Sequence, residues 1–222
     1  MERHFDEELK ELQEEGLRMG VLAQEAIFRT IEALKNRDKN EAQEVVSADK
    51  RIDELELAID ERCIDLIARY QPMAGDLRFV TTGMKINAEL ERIAALAVDV
   101  AQRVLAMGEK PLLKPLIDIP KLSDIAQNMV RDAIDAFVKK DIELAKKVVH
   151  ADAQADKLRN LVQSELISNY LARDPHTADR AVPLLLISRH LERICDHATN
   201  IAEDVIYMVQ GQVVKHHPEK LG

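Results

Sequence analysis

Apolar residues recur at intervals of three and four along most of the chain, the spacing that puts them on one face of an α-helix. The first such stripe runs from about Phe5 to Asn36 through Leu9, Leu12, Met19, Leu22, Ala23, Ala26, Ile27 and Leu34. After the turn "NRDKN", Asp38 is positioned to cap a second helix reaching Tyr70, with Val45, Val46, Ile52, Leu55, Ile59, Ile64 and Ile67 as its apolar side. "QPMAGD" ends it, because Pro72 disfavours helix at Gln71. A third helix is predicted from about Asp76 to Met107. The stretch 108–121 holds one Gly and three Pro and reads as a connection. The pattern then restarts. A fourth helix is expected after Pro120, capped by Ser123 or Asp124 and reaching Lys139. A fifth covers Asp141–Leu171, and a sixth covers Ala178–Gln210, disturbed in its first turns by Pro183. No segment alternates with period two, so no sheet is predicted.

The two series of helices are copies. "VVSADKRIDELE" and "VVHADAQADKLR" correspond, with Asp49 matching Asp152 and Asp53 matching Asp156, a shift of 103 residues. Asp38 matches Asp141 and Pro72 matches Pro175 at the same shift. The tetrapeptide "LERI" occurs at Leu90–Ile93 and at Leu191–Ile194, a shift of 101, so the second copy is two residues shorter before that point. Short links between long helices make neighbours antiparallel. The expected fold is therefore all-α, with two tandem, internally repeated three-helix bundles. Residues 1–108 form the first bundle, 109–120 the linker, 121–215 the second bundle and 216–222 a polar tail.

Composition narrows the function classes. The 222 residues carry a net charge of −9, and no basic stripe interleaved with aromatics is present, which argues against a nucleic-acid partner. Apolar residues at 46% and charged residues at 32% suit a folded amphipathic chain. No apolar run is long enough to span a bilayer, and the start of the chain is charged from its second residue. Cys63 and Cys195 fit no metal or disulfide spacing. A protein of the cytoplasm, without direct membrane insertion, is the expectation.

The candidate chemistry is acidic. Four residues is about one helical turn, so Asp49 and Asp53 share a face, which Glu56 extends. Glu91 and Asp99 share a face of the third helix, with Ala95 between them. In the second copy Asp152 pairs with Asp156, while Glu192, Asp196 and Asn200 form an uninterrupted ladder. If the second and third helices of each bundle oppose these faces, about four carboxylates meet and repel unless protonated or neutralised by a cation. Oxygen donors suit Mg, Ca, Mn or iron, and zinc if a His or water joins. The nearest His, His197, points away from the ladder. The bland alternative is a solvated acidic helix face with no ligand. No nucleophile elbow, phosphate loop, zinc-protease motif or ferritin-like Glu-x-x-His pair is present. A carboxylate-bridged metalloenzyme and a metal-free interaction bundle remain open readings.

"YQPMAGDLRFV", the two "LERI" segments, "PLLKPLIDIP" and "RHLERICDHATNIAEDVIYMVQG" resemble the PhoU family of phosphate-signalling proteins over nearly the whole chain. The resemblance implies a non-enzymatic, homodimeric cytoplasmic adaptor that represses the phosphate-starvation response and modulates phosphate uptake. Its partners would be the ATPase subunit of the Pst phosphate transporter and a PhoR-type sensor histidine kinase. It also implies multinuclear iron or zinc clusters. Carried over residue by residue, the ligands are Asp49, Asp53 and Glu91, then Asp152, Asp156, Glu192 and Asp196. The family pattern "ERIGD" is "ERIAA" in the first copy, so Ala95 removes a carboxylate there and Asp99 stands one turn on as its substitute. By this reading the second face is the one favoured for occupancy.

Overall fold

The computed structural model describes residues 2–108 and 110–215, so the tail expected at 216–222 lies outside the described residues, as does the first position of the linker. Six long helices follow in order, and no strand occurs among the described residues: α1 (Glu2–Asn36), α2 (Lys39–Tyr70), α3 (Ala74–Met107), α4 (Asp118–Lys139), α5 (Ile142–Glu165) and α6 (Ala178–Gln210). The all-α expectation and the six-helix order hold.

The duplication extends to individual turns. Arg37 and Lys140 both adopt left-handed backbone, with φ of 58° and 55°. Asp38 N–H then bonds Ala33 carbonyl and Asp141 N–H bonds Ala136 carbonyl, each at 2.9 Å. Both aspartates cap the next helix. Asp38 accepts from the N–H of Asn40 and Glu41, and Asp141 accepts from that of Leu144. These bonds satisfy donors that have no partner in the first turn of a helix.

Four helices form the centre. α1 packs on α3 and α4, and α6 packs on α3 and α4, closing a ring. α2 lies along the α1–α3 pair and α5 along the α4–α6 pair. One continuous hydrophobic cluster draws buried residues from all six helices, Leu90 and Ile93 of α3 and Leu191 and Ile194 of α6 among them. Both "LERI" segments thus turn their apolar ends inward and their charged middles outward. α1 and α4 approach closely because Gly20 has no side chain: a Cβ there would come within 2.2 Å of Ile134 Cδ1. Burying such Leu or Ile side chains contributes about 1.5–3 kcal/mol each.

Several details differ from expectation. The buried positions of α2 are Ala42, Val45, Ile52, Ile59, Cys63 and Leu66, a stripe that leaves Ile64 58% exposed. α4 begins at Asp118, ahead of Pro120, and neither Ser123 nor Asp124 caps it. Pro120 is tolerated in the first turn, where its missing N–H would have no helical partner. Ser123 is fully buried and accepts a bond from the Gln127 amide at 3.0 Å. α5 is regular only to Glu165. A π-helical turn, Leu166–Leu171, follows, with Ala172 N–H reaching back to Ile167 carbonyl at 2.9 Å. A 3₁₀ turn at Pro175–Thr177 then leads into α6, which runs through Pro183. The connection ahead of α4 is anchored by Lys114, whose buried ammonium pairs with Glu165.

Candidate metal centre

The first acidic face lies where α2 meets α3. Burial of Ile52 and Ile59 on one side of α2 turns Asp49, Asp53 and Glu56 toward the groove beside α3. Asn87 of α3 fixes the register by donating its amide to Glu56 carbonyl at 2.9 Å and to Asp60 at 3.1 Å. Leu90 and Ile93 point into the core, so Glu91 faces α2. Burial raises the Glu91 carboxyl above its ordinary pKa, and Glu56, Asp53 and Asp49 raise it further. Burial likewise raises Asp49, with Asp53 and Asp99 adding to the shift. Glu56 is raised by burial and then by Asp60 and Asp53. Among the described residues none of Asp49, Asp53, Glu56 and Glu91 forms an ion pair. Negative charge is therefore concentrated here without an internal counter-charge in contact.

The second face, between α5 and α6, repeats the backbone but not the electrostatics. Asp152 and Asp156 come from α5, Glu192 and Asp196 from α6. Burial raises the Asp152 carboxyl, reinforced by Asp156 and Glu192. Asp196 is open to solvent on one side, yet partial burial followed by Glu192, Asp152 and Asp156 pushes it up to about 6. Arg159 stands inside this face. Its Nη2 donates to Glu192 Oε1 at 2.7 Å and to Asp156 Oδ1 at 3.1 Å, bridging α5 and α6. At the repeat shift of 103, Arg159 occupies the position of Glu56. Sequence reading missed Arg159, although aligning the copies one turn beyond Asp156 would have found it.

Two expected ligands turn toward the seam between α3 and α6. The Asn200 amide donates to Glu89 Oε2 at 3.2 Å, and His197 Nδ1 bonds the same oxygen at 2.5 Å. Arg92 donates to the other Glu89 oxygen at 3.2 Å. Asp99 lies 3.8 Å from His190 Nδ1, where burial pushes the imidazole pKa down. Glu89–Asn200 and His190–Asp99 are one contact exchanged between the copies, since both residues of each pair are related by the shift of 101. The seam therefore has internal pseudo-two-fold symmetry.

The donor chemistry fits a hard, oxygen-preferring cation. The Cys195 thiol is buried and its pKa driven upward, so it supplies no thiolate. Cys63 is pushed up to about 12 by burial, and neither cysteine has the character of a nucleophile. Among the described residues no three His, Cys, Asp or Glu side chains converge as a finished cage. Cation binding would draw the carboxylates together, which is feasible for side chains as open as Asp53 and Asp196.

A family model described as "PhoU domain" matches residues 17–104 and again 119–205, one match in each copy. A phosphate-specific transport system accessory protein PhoU homolog from Aquifex aeolicus is 42% identical over 209 residues, covering 94% of both chains. A homolog of the same description from Pseudomonas putida is 37% identical, covering 96% of this chain and 84% of that one. The crystal structure of PhoU from Pseudomonas aeruginosa superimposes with a TM-score of 0.90 at 35% identity, covering 94% of this chain and all of the other. The phosphate transport system regulatory protein PhoU from Streptococcus pneumoniae gives 0.88 at 30% identity, covering 95% and 99%.

Proposed function

This chain belongs to the PhoU family, and on that premise we propose that it is an accessory regulator of phosphate transport. It represses the phosphate-starvation response when phosphate is plentiful and modulates uptake. In this role it acts as a cytoplasmic, homodimeric adaptor between the ATPase subunit of the Pst transporter and a PhoR-type sensor kinase. The observation that carries the reading is the near full-length match, in both copies, to proteins described as accessory to phosphate transport. Among the described residues no helix is long and apolar enough to cross a membrane. Docking from the side of the transporter, through long helical faces, is compatible with that.

Asp49, Asp53 and Glu91, with Asp99 nearby, would hold a cation at the first face. Asp152, Asp156, Glu192 and Asp196 would do so at the second. A bound iron or zinc cluster, or a Mg or Mn ion, would supply the positive charge that these carboxylates lack. The carboxylates themselves tie α2 to α3 and α5 to α6 once their repulsion is relieved, fixing the outer helical surfaces that a partner meets. Binding of that surface to one state of the kinase would shift it toward its phosphatase form, by differential affinity. The open position of Asp53 and Asp196 favours this structural use of metal over an enclosed enzymatic site.

Deletion of the protein should derepress a phosphate-regulated reporter in high phosphate, and repression that survives deletion would overturn the adaptor reading. Co-purification from native cells should recover the transporter ATPase subunit and the kinase. Metal content of untagged protein should fall when Asp49, Asp53, Asp152 and Asp156 are all changed to Asn.

A further inference from the structure

We propose that Arg159 and Glu56, corresponding positions at which the two acidic faces carry opposite charge, set which face takes a cation: the first face is the strong site, and the second is held closed by its own arginine. The inference rests on the metal-binding part of the reading above.

The two positions are equivalent in fold. Each lies on the second helix of its copy, three residues beyond an aspartate of the acidic pair, and each faces the glutamate of "LERI". In the first copy Asn87 of α3 donates to the Glu56 carbonyl at 2.9 Å, which sets Glu56 beside the helix that carries Glu91, and among the described residues no cation pairs with either carboxylate. In the second copy Arg159 holds Glu192 and Asp156 in direct ion pairs. The same pair of positions is thus a repulsive couple in one copy and a bonded couple in the other. Two of the four carboxylates of the second face already have a positive partner. Arg159 is lodged between α5 and α6, with its Nε buried and unpartnered, so an incoming cation must displace an anchored group.

A divalent ion at the first face gains the attraction of Glu56 and relieves a cluster without a counter-charge. At the second it meets a guanidinium that must swing out and leave its ion pairs. The Ala95 gap, which weakens the first face on ligand count, works in the opposite direction. The carboxylate missing at Ala95, one turn from Glu91, counts for less than reversal of a charge in direct contact with two of the ligands.

The test is titration of the full chain with Mn²⁺ alone, read by electron paramagnetic resonance of free and bound ion, with circular dichroism melts confirming that each variant folds. Wild type should show tight binding that Asp53→Asn removes and Asp156→Asn leaves. Arg159→Glu should create a second class of sites about tenfold or more tighter than the second face of wild type, and Glu56→Arg should weaken the first face by a similar factor. A bridge that merely joins α5 to α6 would lower the melting temperature in Arg159→Glu without changing the number of bound ions. That result overturns the inference while leaving metal binding intact. Tight binding in wild type that Asp156→Asn removes, with Asp53→Asn silent, also overturns it. Absence of Mn²⁺ binding in wild type and in every variant overturns the metal reading itself and this inference with it.

Discussion

The two acidic faces share a backbone and a helix pair, and they differ in charge at two places: Glu56 of the first is Arg159 in the second, and Ala95 of the first is Asp196 in the second. One face is left with mutually repelling groups, and the other has closed two of its carboxylates in an internal ion pair. Gene duplication copied the turns faithfully, down to left-handed Arg37 and Lys140 and the caps that follow them. Geometry in this molecule is therefore symmetric where backbone conformation decides it, and asymmetric where a single side-chain charge does. Pseudo-symmetry of fold is a poor guide to symmetry of ligand binding.

The strongest way to break the comparison is to attack the core that both copies share. Leu90→Ala and Leu191→Ala each remove a fully buried side chain at corresponding positions and should cost about 2–5 kcal/mol. Because one hydrophobic cluster joins all six helices, each variant should still unfold in one transition in urea, monitored by circular dichroism. Two separated transitions would show that the copies are energetically independent. Next in size are the caps. Asp38→Ala and Asp141→Ala should each lower stability by about 1 kcal/mol. Asp38, accepting from two N–H groups against one for Asp141, should cost the more.

Charge at the faces comes next. Without added cation, Glu56→Gln should stabilise slightly by relieving repulsion on Glu91. Arg159→Gln should destabilise by leaving Glu192 and Asp156 unpaired, each by roughly 0.2–1 kcal/mol in thermal melts. Effects of the same sign at both positions would remove the claimed asymmetry. The smallest effect is the pH response of Asp196. Its carboxyl in the folded chain is raised to about 6 from an ordinary 3.8, so between those values the folded state holds the proton more firmly than the unfolded. Its contribution to stability is therefore present at low pH and is lost as pH rises through about 6. In cation-free buffer, acidifying from neutral pH toward 5 should raise the melting temperature of wild type relative to Asp196→Asn. Glu89 and Asp132, whose pKa values are lowered, act in the opposite sense in both proteins and cancel in the difference.

Long helices with three-and-four spacing announce themselves, so the helix order, the repeat and the capping role of Asp38 were legible in the sequence. Boundaries governed by local hydrogen bonding were not. Ser123 has the composition of a cap and is a buried core hydroxyl, because Pro120 fits inside the first turn of α4 and the helix begins earlier. The π turn at Leu166–Leu171 inserts its irregularity into an unbroken apolar pattern. At the site, spacing placed Asp49 with Asp53 and Asp152 with Asp156 on shared faces, and burial and mutual charge show that they face Glu91 and Glu192. Spacing gave no hint that Asn200 bonds Glu89 across the seam, because an i,i+8 position drifts around the helix toward whichever neighbour packs there. Arg159 does not stand out in the sequence, because a basic residue three positions beyond an aspartate is the usual pattern of a solvated helix face.

The central claim is most directly tested by anomalous diffraction at the manganese edge from crystals of the full chain grown with Mn²⁺. The account predicts a strong peak bounded by Asp49, Asp53 and Glu91, and a weak peak or none beside Arg159. A dominant peak among Asp152, Asp156, Glu192 and Asp196, with the first face empty, would contradict it.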